Sequence, residues 1–169
     1  MSRTKGIDVR KLAKGEWQLY RDIRLAALAD APYAFGSTYE REFGFPDEKW
    51  RQRADEGAEG RGSICIIALD DEHGVGIAGG ITPEDRPREC MLVSMWVHPD
   101  VRGSDVAGRL VSQIEVWAFD RGYERILLGV TSENDRAARF YKKMGFVTYD
   151  GCIDDEDCET ILQKPLSVE

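Results

Sequence analysis

Histidine is scarce in this chain of 169 residues: only His73 and His98 occur, and none of the four cysteines, Cys65, Cys90, Cys152 and Cys158, stands in a CxxC pair. That scarcity leaves no ligand set of ordinary zinc spacing, so no metal is expected. Long apolar runs are also missing. The longest, such as residues 64–69 and 126–128, fall far short of the roughly 20 residues that a bilayer-crossing helix needs. The opening Met1-Ser2-Arg3-Thr4-Lys5-Gly6 leads into no run of secretory type. These absences predict a cytoplasmic protein with reduced thiols and no membrane partner. Positive charge is in deficit too, with 23 Lys and Arg against 31 Asp and Glu and a net charge of −8. Such a balance argues against nucleic acid as a partner and favours a cationic ligand such as an amine.

What is present suits a soluble globular core. Hydrophobic residues make up 42% of the chain, enough to bury an interior without disulfides or a structural metal. No repeat or compositional break divides the chain, so residues 1–169 are read as a single domain.

The periodicities order the elements. Ile7 and Val9 alternate with polar neighbours as in a strand, and Trp17, Tyr20, Ile23, Ala27 and Leu28 recur at helical spacing. Ala31-Pro32 ends that helix, and Pro46-Asp47-Glu48 opens a second one carrying Trp50 and Ala54. Between them, residues 33–45 read as a loop, rich in aromatics, that either packs on the core or lines a pocket. Residues 64–69, 75–81 and 91–97 then read as an antiparallel meander. Val106, Leu110, Val111, Ile114 and Trp117 mark a helix, residues 126–130 a strand, and Ala137, Phe140, Tyr141 and Met144 another helix, with Gly145 at its end. Strands at 146–149 and 160–162, joined by an acidic turn at 154–157, complete the order. The expectation is an α/β fold: one mixed sheet of about seven strands flanked on both faces by about four helices.

Two glycine-bearing segments compete as phosphate sites. Gly74-Val75-Gly76-Ile77-Ala78-Gly79 matches GxGxxG, but it continues as strand and opens no helix, so it reads as hairpin and close strand packing rather than a dinucleotide site. The stretch Val97-His98-Pro99-Asp100-Val101-Arg102-Gly103-Ser104 does join a strand to a helix, whose unpaired amides and positive dipole end suit a pyrophosphate. Taken alone, it could equally be an ordinary turn capped by Ser104 or Asp105.

A second segment decides between them. Val97, Pro99, Arg102, Gly103 and Ala107, followed by Asn134, Ala137, Phe140, Tyr141, Gly145 and Phe146, resemble the paired motifs V-x-P-x-x-[RQ]-G-x-G-x-[GA] and N-x-x-A-x-x-[FL]-Y-x-x-x-G-F of the GNAT acetyltransferases. The element order agrees with that family along nearly the whole chain, and the resemblance implies a mostly antiparallel sheet. Asp105 departs from the pattern, standing where the second glycine of the turn is expected; its carboxylate would oppose bound phosphates.

The resemblance implies acetyl-coenzyme A as acyl donor and direct attack by a primary amine, small molecule or peptide, in a ternary complex. It implies cofactor contacts from Trp96, Val97, Arg102, Gly103, Ser104, Asp105, Val106, Ala107, Gly108, Asn134, Arg136 and Tyr141. The backbone of Trp96 and Val97 would bond pantetheine between two splayed strands. Tyr141 would protonate the departing thiolate, although a packed aromatic beside Phe140 is the plainer reading of that position. On the residues alone, Asn134 reads first as a helix cap, which could also bond the cofactor or an ordered water. An alkylammonium has a pKa of about 10.4, so a base or a proton-relaying water is needed. Relatives often carry a carboxylate on the strand before the turn, where this chain has Val93 and Ser94. Ser94 holding a water, or Glu40, Glu42 or Glu89, are the candidates. Phe35, Ser37 and Thr38 would frame the amine. A homodimer is compatible with the family pattern, and a catalytically inactive acyl-CoA-binding or protein-interaction module on the same fold is the alternative that Asp105 raises.

Overall fold

The structure, a computed structural model, describes residues 6–32, 35–131, 134–150 and 160–166. Tyr33, Cys152, Cys158 and the acidic turn at 154–157 lie outside them. The chain order is β1 (Ile7–Lys11), α1 (Trp17–Asp30), α2 (Tyr39–Phe43), α3 (Asp47–Glu59), β2 (Ser63–Asp70), β3 (His73–Ile81), β4 (Glu89–Val97), α4 (Val106–Asp120), β5 (Arg125–Val130), α5 (Asp135–Lys143), β6 (Val147–Thr148) and β7 (Thr160–Pro165). The seven strands form one sheet in the order β1-β2-β3-β4-β5-β7-β6, antiparallel except for the β4–β5 pair. The expected mixed α/β architecture is therefore present, with one helix more than expected. That helix, α2, lies inside the segment read as loop. It is five residues long, too short for an apolar period to register, and Thr38 Oγ1 caps it by accepting from Arg41 N at 3.2 Å.

β2 explains how the layers assemble. Its side chains alternate between faces, and both faces are covered. Ile64, Ile66 and Ala68 join the core beneath α4, with Leu110, Val111 and Ile114. Cys65, Ile67 and Leu69 join the opposite core, with Tyr20, Ile23 and Ala27 of α1 and Trp50 and Ala54 of α3. A strand buried on both sides reads as continuous apolar sequence, as residues 64–69 do. The two thiols among the described residues, Cys65 and Cys90, are buried and unpaired, and burial pushes both up to about 12.

The GxGxxG glycines lie in β3, as the strand reading requires, and at least one is there for space. A Cβ on Gly76 would meet Leu110 Cδ1 at 3.1 Å, Ala68 Cβ at 3.2 Å and the Trp96 carbonyl at 3.3 Å. Among the described residues, no helix is long and apolar enough to cross a membrane.

Candidate active site

The site begins with a failure of pairing. β4 and β5 pair only through Glu89–Arg125, Cys90–Ile126 and Met91–Leu127; beyond that point the strands diverge. The divergence coincides with a β-bulge, where the register against β3 shifts between Gly79–Val93 and Ile77–Trp96 and Ser94 takes φ +55°. A bulge adds twist and turns the strand away from its neighbour. The wedge between the strands is a cleft of about 1020 Å³ whose walls include Leu92 to Val97 of β4 and Leu128 to Val130 of β5.

Backbone alternation sets which groups face this wedge. His98 N donates to Val75 of β3 at 2.8 Å, and Trp96 is in register with Ile77. The intervening Val97 amide and carbonyl therefore point the other way, toward β5. The expectation that both Trp96 and Val97 offer free backbone is thus corrected: the Trp96 peptide is turned to β3. Its indole, buried at the edge of the cleft, donates instead to Asp30 Oδ2 at 2.9 Å.

At the outer end of the cleft, a 3-10 turn at Pro99–Val101 leads through Gly103, at φ +78°, to the N-terminus of α4. Ser104 Oγ donates to Val101 O at 2.5 Å and accepts from Val106 N at 3.3 Å, which fixes the turn. Arg102, Gly103, Ser104 and Ala107 line the cleft; Asp105, Val106 and Gly108 do not. Asp105 is exposed and its side chain makes no capping bond, so the helix amides are not closed off by its carboxylate. Val106 is buried in the core, which is why it leaves the site. Arg102 is less free than its sequence position suggests: Nε donates to Val97 O at 3.0 Å and Nη2 pairs with Asp30. The Trp96 hydrogen bond, together with Arg102, holds the Asp30 carboxyl below its ordinary range.

α5 supplies the far wall. Asn134 Oδ1 caps it, accepting from Ala137 N at 3.1 Å, so the capping role is the one the geometry fills. Gly145 at φ +98° ends it as expected. Tyr141 faces the cleft while packed edge-on between Phe140 and Phe146, and burial raises its hydroxyl well above the usual phenol range. The side chain is thus a packed aromatic that also lines the cleft. Arg136, Arg139 and Lys143 also line the cleft, and among the described residues no carboxylate does. Arg139 and Lys143 escaped the motif comparison, although spacings of three and four from Arg136 and Arg139 place them on one helix face. The chemistry of the cleft, four cations, a helix N-terminus and an open strand edge, fits an elongated polyanionic nucleotide.

A second cavity, about 560 Å³, lies on the other side of the bulge and shares Gly36, Val93 and Ser94 with the first. Here the proposed bases are displaced. Glu42 is buried, with Arg24 Nε on Oε1 at 2.9 Å, Arg24 Nη2 on Oε2 at 3.0 Å and Arg53 Nη1 on Oε1 at 3.0 Å. Burial alone would raise this carboxyl, but the Arg24 and Ser37 hydrogen bonds and the charges of Arg24 and Arg53 outweigh it and bring it to about 2. A carboxylate so held is a poor base. Glu89 is paired with Arg86 at 2.9 Å, and neither it nor the exposed Glu40 lines either cavity. Ser94 Oγ accepts from Arg24 Nη1 at 2.6 Å. Phe35 both packs on the core and lines the cleft, beneath the Arg24 guanidinium at 4.8 Å. Ser37 lines the second cavity, whereas Thr38 is spent capping α2 and lines neither.

Solved structures share this architecture. The PaiA N-acetyltransferase of Thermoplasma acidophilum, in complex with coenzyme A, aligns with a TM-score of 0.72 at 18% identity over 94% of this chain and 98% of its own. The acetyltransferase YncA of Salmonella typhimurium, with acetyl-CoA, aligns with a TM-score of 0.74 at 15% identity over 97% and 96%. In sequence, the chain is 37% identical over 81 residues to an uncharacterized N-acetyltransferase of Mycobacterium tuberculosis, covering 48% of this chain and 51% of that protein. It is 40% identical over 59 residues to an acetyltransferase of Pectobacterium atrosepticum, covering 35% and 41%. The chain spans about half the length of the curated relatives it matches. The family model for the GNAT acetyltransferases matches residues 22–146, from α1 through α5. With that match over most of its length, the chain belongs to the GNAT acetyltransferase family.

Proposed function

We propose that the protein is an acetyl-CoA-dependent N-acetyltransferase acting on a primary amine by direct attack in a ternary complex. The observation that carries this reading is the meeting of two cavities at Val93 and Ser94: a cationic cleft open along β4 reaches Tyr141, and a separate acceptor cavity opens on the same point. Acetyl-CoA supplies an acetyl thioester as the electrophile. In this reading the Val97 amide bonds the donor's pantetheine arm, and the α4 N-terminus with Arg102, Arg136, Arg139 and Lys143 holds its phosphates. In the reaction an N–C bond forms and the C–S bond breaks; the amine gives up one proton and the sulfur receives one. Tyr141, kept protonated by burial, is the donor to sulfur. Ser94, its oxygen already fixed by Arg24, is the hydroxyl that holds a proton-relaying water for the amine.

The test is calorimetric titration with CoA followed by thiol release from acetyl-CoA across a panel of amines. Tight CoA binding with turnover that collapses in Tyr141→Phe supports the reading. Binding with no turnover on any amine replaces it with the non-catalytic module, and turnover indifferent to Tyr141→Phe removes the acid assignment.

A further inference from the structure

The acceptor cavity has a charge opposite to that of the protein. The chain as a whole carries a net charge of −8, yet among the described residues the cavity is lined by Arg24, Arg41, Lys49 and Arg53 against Glu42 and Glu56. Glu42 is consumed by Arg24 and Arg53, and Glu56 accepts from Gln52 at 3.3 Å. The net charge therefore misleads about the ligand, because it is summed over a surface the ligand does not meet.

Arg53 is the best placed of these cations. Its guanidinium lies 6.0 Å from the Tyr20 ring centroid, 5.6 Å from Phe45 and 5.7 Å from Trp50, and its ion pair with Glu42 uses Nη1. A guanidinium pinned by aromatic rings keeps its remaining donors in a fixed fork suited to two oxygens of one anion. Lys49, over the Phe45 ring at 3.9 Å, and Arg41 extend the same charge around the cavity.

We propose that the acceptor is an amine that also carries an anionic group, a carboxylate or a phosphate, seated on Arg53 with Lys49 and Arg41 while the amine reaches Ser94. This rests on the acetyltransferase reading and specifies its substrate class. A plain polyamine has nothing to gain from such a cavity, since its second ammonium would face like charge.

The experiment measures thiol release with matched pairs: free amino acids against their α-amides for the carboxylate, and O-phosphoethanolamine against ethanolamine for the phosphate. The parent should favour the anionic member of at least one pair by about tenfold or more in kcat/KM, and the preferred pair identifies the anion. Arg53→Gln should raise KM for that member with kcat near the parent value, and by a clearly larger factor than for its neutral partner. Arg41→Gln with Lys49→Gln, both on exposed side chains, should do the same to a smaller degree and guards against a folding defect in Arg53→Gln. Equal or better use of neutral amines or spermidine by the parent overturns the inference, as does an equal loss for both members in the variants. Should no amine support turnover although CoA binds, the acetyltransferase reading fails by itself. The inference is then decided by titrating N-acetyl amino acids and their amides into the CoA-loaded protein, where equal affinities overturn it.

Discussion

Arg24 joins Ser94 to Glu42: one guanidinium donates to the Ser94 hydroxyl at 2.6 Å and to both oxygens of a fully buried carboxylate. The link spans 70 residues of sequence and ties α1 and α2 to the bulge of β4. Removing one partner leaves the other charge buried and unpaired, which costs about 3–5 kcal/mol. Arg24→Met and Glu42→Ala should each lower unfolding free energy by that order in urea titrations. A loss below about 1 kcal/mol would mean that the cavity admits enough water to solvate the orphaned group.

The same carboxylate gives a pH signature. Its folded-state value of about 2 lies below the ordinary 4.5, so its stabilisation is complete above pH 4.5 and is lost as pH falls toward 2. A depression of that size corresponds to on the order of 3 kcal/mol. Parent and Glu42→Gln should differ most near neutrality, and the gap should close as pH drops through this window. Paired thermal melts from pH 7 to pH 3 measure it; a constant gap would show that the loss comes from packing rather than charge.

Tyr141→Phe should lower kcat by roughly 10²–10⁴-fold, the range for a lost general acid, with little change in CoA affinity. Because burial raises the Tyr141 hydroxyl, the parent should show no alkaline loss of kcat from this group up to pH 10. An alkaline limb absent from Tyr141→Phe would place the tyrosine's titration lower than its burial implies.

What was legible in the sequence was local. The turn around Gly103, the Asn134 cap and the αL Gly145 depend on residues within a few positions of one another, and each stands where its motif placed it. What was hidden depended on distant partners. Glu42 reads as a candidate base until Arg24 and Arg53 are seen around it, and Arg102 reads as a free phosphate ligand until Asp30, 72 residues away, is seen beside it. The bulge at Ser94 has no sequence mark, because a non-glycine residue at positive φ is held there by its surroundings. Arg139 and Lys143 were readable from spacing and were missed only because the family motif does not name them.

Gly76→Ala tests the strand reading of the GxGxxG segment. The added methyl would approach Leu110, Ala68 and the Trp96 carbonyl at 3.1–3.3 Å, and two of those three are core side chains with little room to yield. Overpacking of this kind costs about 1–3 kcal/mol. CoA affinity should fall less than stability does, since Gly76 lines neither cavity.

In the proposed phosphate turn, the Asp105 charge would work against a bound phosphate. The residue precedes the first turn of α4 and makes no capping bond there, so its charge gives the helix only dipole stabilisation while opposing phosphates at the same N-terminus. Asp105→Asn keeps a residue that tolerates the turn and removes the charge. CoA should bind about two- to fivefold tighter to the variant at low salt, the range for one exposed charge at a helix end. Exposed charges are screened within about 8 Å at physiological ionic strength, so the advantage should shrink as salt is raised. Calorimetry across a salt series separates this from a packing effect, because an advantage that persists at 1 M salt cannot come from the Asp105 charge.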